Sequence, residues 1–240
     1  MNRSKFDKKE GSETNDFDGA GDLDLYLTNY LDFRLTQNKI CGKGSIRDYC
    51  DPTKYAGVSD RLYRNDDGVY FDVTRSAGME TKAGKGIGVT SADYDGDGDA
   101  DLYIANDGTP NFLYRNQGDG TFQDTTRRSG IQTGNLWTMG VVAADVENDG
   151  DRDLLITGFG RNLLFLNRGD GSFEEVSRKT GVQGSGWATG AAFGDYNGDG
   201  ALDFYVIGMS STTMRRLNHM GLAREDFPEF EEMRTRMGYG

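Results

Sequence analysis

Residues Asp93 to Asn106 read DYDGDGDADLYIAN. Carboxylates occupy every second position from Asp93 to Asp101, and the chain then turns apolar without a break. Like charges this close repel. Oxygen-bearing side chains at alternate positions, followed by glycine, are the pattern of a loop that wraps a hard cation. An ordinary acidic turn could show this pattern once, but it would not recur four times in one register. NDFDGAGDLDLYLTN starts at Asn15, ADYDGDGDADLYIAN at Ala92, ADVENDGDRDLLITG at Ala144 and GDYNGDGALDFYVIG at Gly194. Their first acids, Asp16, Asp93, Asp145 and Asp195, are spaced by 77, 52 and 50 residues.

The repeat extends beyond the loops. RLYRNDDGVYFDVTRSAGM, FLYRNQGDGTFQDTTRRSGI and LLFLNRGDGSFEEVSRKTGV follow three of them, and the glycine-rich GIGVTSADYD, MGVVAADVE and TGAAFGDYN lead into the last three. In the second repeat GVTSAD, DLYIAN, NFLYRN and TFQDTT read as four short strands, with a glycine-bearing hairpin turn in NQGDGTF. Units of four strands near 50 residues, in series, are the signature of β-propeller blades. A β-helix solenoid is the rival, but four strands are too many for one coil. Helical repeats are excluded by strand alternation and glycine density.

The predicted fold is therefore all-β: a β-propeller of four-stranded antiparallel blades, present as a partial or open arc of about three to four blades. Residues 1–14 read as a polar segment and 15–79 as a first blade with a cysteine-containing insert over 31–60. The second blade is placed at 80–131, the third at 132–182 and the start of a fourth at 183–208. The first unit shows no convincing opening strand. Residues 209–240 read as a short helical C-terminal insertion, with Pro228 suited to a first turn and Arg234 and Arg236 ahead of Gly238. A closed four-bladed ring is the less favoured alternative to a piece of a larger parent propeller, whose remaining blades would be partners.

An EF-hand is the obvious rival for the loops. It needs a bidentate Glu at position twelve and a helix beyond, whereas here the twelfth residues are Leu27, Ile104, Ile156 and Val206. The cage must instead close at position nine, on Asp24, Asp101, Asp153 and Asp203. The second loop would offer Asp93, Asp95, Asp97 and Asp101 with the Asp99 carbonyl, and the third Asp145, Glu147, Asp149 and Asp153 with the Asp151 carbonyl. For the fourth the set is Asp195, Asn197, Asp199 and Asp203 with the Ala201 carbonyl. The first has Asp16, Asp18, Asp22 and Asp24 but Ala20 at position five, so it is expected to be the weakest. So many oxygens favour Ca²⁺ over Mg²⁺, at roughly 10⁻⁵ to 10⁻³ M, a range suited to calcium outside the cytosol. Up to four ions are expected.

Charge supports this reading. The formal net charge is -12, and the four loops hold 17 of the 39 acidic residues, so the acid is concentrated rather than spread. No basic stripe interrupts it, which argues against nucleic acid. No run of about 18 apolar residues spans a membrane, and the polar N-terminus shows no signal-peptide core. Cys41 and Cys50 could form a short-loop disulfide or stay reduced. Trp137 and Trp187 hold matching places before strand one, fit for packing between blades, a loop role or, less favoured, a ligand-stacking platform. His219 has no catalytic company in sequence, the NRS sequon at Asn2 is weak, and AGKGIGVT around Gly84 precedes a strand rather than a nucleotide-binding helix.

With DGDGDADLY, LYRNQGDGTFQDTT and the insert RDYCDPTKYAGVSDRLYRN in view, residues 15–208 resemble the FG-GAP/VCBS repeat family of integrin-α-like calcium loops. The likeness is closest to its ASPIC/UnbV-associated, cartilage acidic protein-like branch. Ala20 and Glu147 depart from the family pattern. The resemblance implies calcium-binding loops, an extracellular, cell-surface or periplasmic location, and adhesion to a protein or glycan ligand, with no catalysis. The alternatives are the non-catalytic propeller portion of a larger secreted lyase or hydrolase, and a structural spacer.

Overall fold

The computed structural model describes residues 11–43, 46–48, 50–79, 82–184 and 186–209. Asn2, His219 and all of the expected C-terminal helix beyond Met209 lie outside the described residues. The first sheet contains β1 (Ser12–Asn15), β2 (Asp24–Leu27), β5 (Arg61–Asp66) and β6 (Val69–Asp72), and the insert folds as a separate hairpin of β3 (Cys41–Lys43) and β4 (Ile46–Asp48). The second sheet is β7 (Gly86–Ala92), β8 (Asp101–Asn106), β9 (Phe112–Asn116) and β10 (Phe122–Asp124). The third is β11 (Thr138–Ala144), β12 (Asp153–Gly158), β13 (Leu163–Asn167) and β14 (Phe173–Glu175), followed by one helical turn, α1 (Ser177–Thr180). Of the fourth, β15 (Trp187–Gly194) and β16 (Asp203–Met209) are described.

All pairings are antiparallel between neighbours, so these are propeller blades in an open arc, as the sequence predicts. One expectation is corrected: the first blade does have an opening strand. SETN lacks an apolar pattern, but β1 pairs along its whole length with β2, from Ser12 opposite Leu27 to Asn15 opposite Asp24. Its partner supplies the ladder that its own side chains do not advertise.

Every residue of β8 and of β12 is buried. Successive side chains in a strand point to opposite faces, and both faces here meet another blade. Leu102 and Ile104 join Phe17, Tyr26 and Leu62 of the first blade in one core. Tyr103 and Ala105 turn the other way, toward Leu154, Ile156 and Phe165 of the third. The cores thus lie between blades. Where the next blade is not described the positions equivalent to Tyr103 and Ala105 are open: Tyr205 is 73% and Ile207 55% exposed.

The opening strands of successive blades approach one another through glycine. A β-carbon on Gly88 would sit 3.3 Å from the Met139 carbonyl oxygen, and one on Gly140 3.1 Å from that of Thr189. Each of these strands also carries a register shift just before its glycine, at Gly86/Gly88, Thr138/Gly140 and Ala188/Gly190. At this end of the blades, opposite the acidic loops, Phe159 lies between Trp137 and Trp187, with ring centroids 5.7 and 5.6 Å away. Trp187 therefore packs against the third blade, and Trp137, 37% exposed, reaches Gly108 of the second, where a β-carbon would stand 3.0 Å from its Nε1. The string around Gly84 leads into β7, a strand.

The insert is clasped by a disulfide between Cys41 and Cys50, whose Cα atoms are 5.1 Å apart. Its far end is anchored to the first blade by Asp60, which accepts hydrogen bonds from the Tyr26 hydroxyl (2.8 Å) and the Asn29 amide (2.7 Å). Burial raises this carboxyl from 3.8 to about 6, more than those bonds and Arg61 lower it.

Two measurements test this account. Gly140→Val should crowd the third and fourth blades and cost about 1–3 kcal/mol, seen as a lower melting temperature. Because the folded state holds the Asp60 proton more tightly than the unfolded chain, stability contributed by this group falls as pH rises from about 4 through about 6. Asp60→Asn should remove that slope, a difference of about 3 kcal/mol across the window, measurable by urea unfolding at stepped pH. Identical slopes in the two proteins would contradict it.

Candidate metal centre

Each acidic loop joins strand one of its blade to strand two. The residue before the first acid pairs with the ninth-position aspartate: Asn15 with Asp24, Ala92 with Asp101, Ala144 with Asp153 and Gly194 with Asp203. The loop is thus an excursion closed by the ladder itself, and position twelve falls inside the strand. The sixth-position glycines have left-handed backbones, with φ of 94° at Gly21, 94° at Gly98, 97° at Gly150 and 87° at Gly200. In the third loop Asn148, at position four, takes φ 57° where the other loops use glycine.

The first acid folds the loop around itself. Asp93 accepts from the amides of Gly96 (2.8 Å) and Gly98 (2.9 Å), and Asp16, Asp145 and Asp195 accept from Gly21, Gly150 and Gly200 at 2.9 Å each. For Asp195 these amide bonds, the Gly200 one foremost, hold the carboxyl below its usual range. The ninth acid is the buried one, with Asp24 and Asp101 each 2% exposed and Asp153 1%. Each accepts from the second-position amide: Phe17 (2.9 Å), Tyr94 (3.1 Å) and Val146 (2.7 Å). Each also accepts from the amide of an asparagine on strand three: Asn65, Asn116 and Asn167, all at 2.8 Å. In the fourth loop Asp203 accepts from Tyr196 (3.1 Å).

Burial raises the carboxyls of Asp24, Asp101 and Asp153, the backbone bonds pull them back, and neighbouring loop acids push them up again. Asp101 reaches about 7, with Asp95 and Asp97 contributing. A buried acid under this strain is what a bound cation would relieve.

In two loops three carboxylates converge. Oxygens of Asp16, Asp18 and Asp24 lie within 4.8 Å of one another, as do those of Asp93, Asp95 and Asp101. The Asp95 side chain is only 8% exposed, and its Oδ1 has no hydrogen-bond partner; Oδ1 of Asp16 is likewise buried and unpaired. These are acceptors without a donor, and the donor set fits a hard cation.

The fifth position behaves differently. Asp97 accepts from the Arg115 guanidinium (2.7 Å), which also pairs with Asp95, and Arg115 holds the Asp97 carboxyl low. Because position five is outside both clusters, Ala20 does not stop the first loop, expected to be the weakest, from gathering its acids as closely as the second. Among the described residues, the acids Asp145, Glu147, Asp149 and Asp153 do not converge to this degree, nor do the acids Asp195, Asp199 and Asp203, which Asn197 accompanies in the fourth loop. Position seven faces its own blade: Asp22 accepts from the Asp67 amide (3.0 Å), while a β-carbon on Gly118 or Gly169 would press on Asp99 or Asp151 at 2.6 and 2.7 Å. Ala201 donates its amide to Asp199 (2.8 Å).

The strand-three asparagines were missed as site residues, although the signal was present: LYRN, LYRN and LFLN end on the same residue in each of the first three blades. Their side chains donate to the carbonyl at position eight of their own loop, from Asn65 to Leu23 (3.1 Å), Asn116 to Ala100 (3.3 Å) and Asn167 to Arg152 (3.1 Å).

The model of the FG-GAP-like repeat matches residues 93–156 and 145–206, each match running from the acids of one loop into those of the next. Cartilage acidic protein 1 of Homo sapiens is 27% identical over 170 residues, covering 66% of this chain and 25% of that protein. Its Xenopus tropicalis counterpart is 28% identical over 158 residues, covering 60% and 24%. The match therefore spans about a quarter of these relatives. An Agrocybe aegerita lectin, solved for its recognition of non-reducing terminal N-acetylglucosamine, superposes with a TM-score of 0.40 at 20% identity, over 80% of this chain and 45% of that one. That likeness is too low to carry over fold or ligand. Residues 93–206, which carry the second, third and fourth acidic loops and the strands between them, match FG-GAP-like repeats.

Proposed function

We propose that this module is a calcium-stabilised extracellular propeller segment that serves adhesion or the binding of a protein or glycan ligand, calcium being structural and the module non-catalytic. The observation that carries the reading is the convergence of Asp93, Asp95 and Asp101, and of Asp16, Asp18 and Asp24, around buried oxygens that have no donor. Calcium suits them better than magnesium, because protein oxygens abound and the loops lack a rigid octahedral cage. Four ions would bring the formal charge of -12 to about -4. The Cys41–Cys50 disulfide supports an oxidising compartment, hence secretion. The similarity to cartilage acidic protein 1 is consistent with a non-enzymatic role. The described residues include no helix long and apolar enough to cross a membrane.

Calorimetric titration of the protein should show calcium uptake. Calcium at a hundred times its dissociation constant should stabilise the fold by about 2.7 kcal/mol per site, so EDTA should lower the melting temperature by several degrees. Magnesium should restore less. Absence of uptake, together with a melting curve unmoved by EDTA, would overturn the reading.

A further inference from the structure

The two loops whose acids converge share something the other two lack among the described residues: a following blade with all four strands. Three contacts join each of these loops to that blade, and they recur one blade apart. The aromatic ring at position two packs edge-on against the strand-four phenylalanine of the next blade, Phe17 on Phe122 at 5.8 Å and Tyr94 on Phe173 at 5.9 Å. The carbonyl of the same residue accepts from the next blade's asparagine, Phe17 from Asn116 and Tyr94 from Asn167, both at 2.9 Å. The glycine of the next blade's hairpin turn lies against the third-position acid: a β-carbon on Gly120 would stand 3.0 Å from that of Asp18, and one on Gly171 3.1 Å from that of Asp95.

Each hairpin turn also brings an aspartate. A cavity of about 200 Å³ is lined by Asp18, Asp24 and Asp119 together with Arg64. One of about 280 Å³ is lined by Asp95, Asp101 and Asp170 together with Arg115 and Arg128, and a cation there would have to displace Arg115 from Asp95. One oxygen of each turn aspartate is held by its own turn, through the amide of Thr121 (3.0 Å) or Ser172 (2.9 Å). The unpaired Oδ1 of Asp95, on a side chain more than nine-tenths buried, is an independent sign that this space takes a ligand. In the fourth blade, where no following blade is described, Tyr196 at position two is 89% exposed.

We propose that the hairpin turn between strands three and four of each blade belongs to the cation site of the blade before it. Asp119 completes the Asp16–Asp18–Asp24 cluster and Asp170 completes the Asp93–Asp95–Asp101 cluster, so a bound divalent cation cross-links neighbouring blades. This rests on the reading of the loops as calcium sites. Among the described residues only the first two loops face such a turn, and these are then the tight sites.

The test is calcium titration of the full chain by calorimetry, with melting curves in calcium and in EDTA. Asp170→Asn should weaken one tight site by about tenfold, and Asp119→Asn the other, because affinity in such sites follows ligand charge. Both variants should melt like the parent in EDTA and lose part of the calcium-dependent rise. Glu174→Gln removes an exposed acid from the same blade and should leave binding unchanged. If Asp24→Asn and Asp101→Asn abolish tight binding while Asp119→Asn and Asp170→Asn leave it intact, calcium stands and the bridging role falls. If Glu174→Gln weakens binding as much as Asp170→Asn, the effect is general charge and the bridging role also falls. If the parent takes up no calcium, both fall.

Discussion

One buried carboxylate in each of the first three blades organises the rest. The aspartate that opens strand two sits where water hardly reaches and accepts amides from both the start of the loop and the end of strand three. Removing an acid from water is costly unless its oxygens are satisfied, so this residue fixes the distance between three strands at one point. The loop then has little freedom: its first acid winds the intervening amides inward, and glycine or asparagine absorbs the left-handed turns.

A blade so built is not self-sufficient. Strand two is buried on both faces, and the side chains of each face complete a core shared with a different neighbour. A small sheet alone is marginal in water, so cohesion has to come from stacking. Successive cores run along the arc, and the ring at position two of one blade leans on strand four of the next. The open apolar residues of β16 are what the same pattern looks like without a neighbour.

The repeat made most of this legible in the sequence. DLYIAN and DLLITG, directly after an aspartate-rich loop, fix strand two to the residue, and the sixth-position glycines announce their own backbone. Three things were harder to read. SETN is a strand only because DLYL lies beside it. The asparagines of strand three are plain in the alignment, but their bonds cross from one blade to the next, a distance in space that no local pattern records. Convergence of the acids does not follow from their number either, since the first loop, short of one acid, gathers as tightly as the second. Both loops that gather face a following blade with all four strands described, and composition within a loop says nothing about that neighbour.

The glycines of the opening strands have a consequence for shape. With no side chain at Gly88 and Gly140, the inner edges of adjacent blades come almost into backbone contact, while Tyr, Phe and Leu hold the outer strands apart. Each blade is thereby a wedge, narrow toward the axis and wide at the rim. The taper of that wedge sets how far each blade turns from the last, and so how many are needed to complete a circle. A methyl group or two at Gly140 would blunt the wedge and open the curvature, altering the roundness of the whole assembly from a place far from any acidic loop.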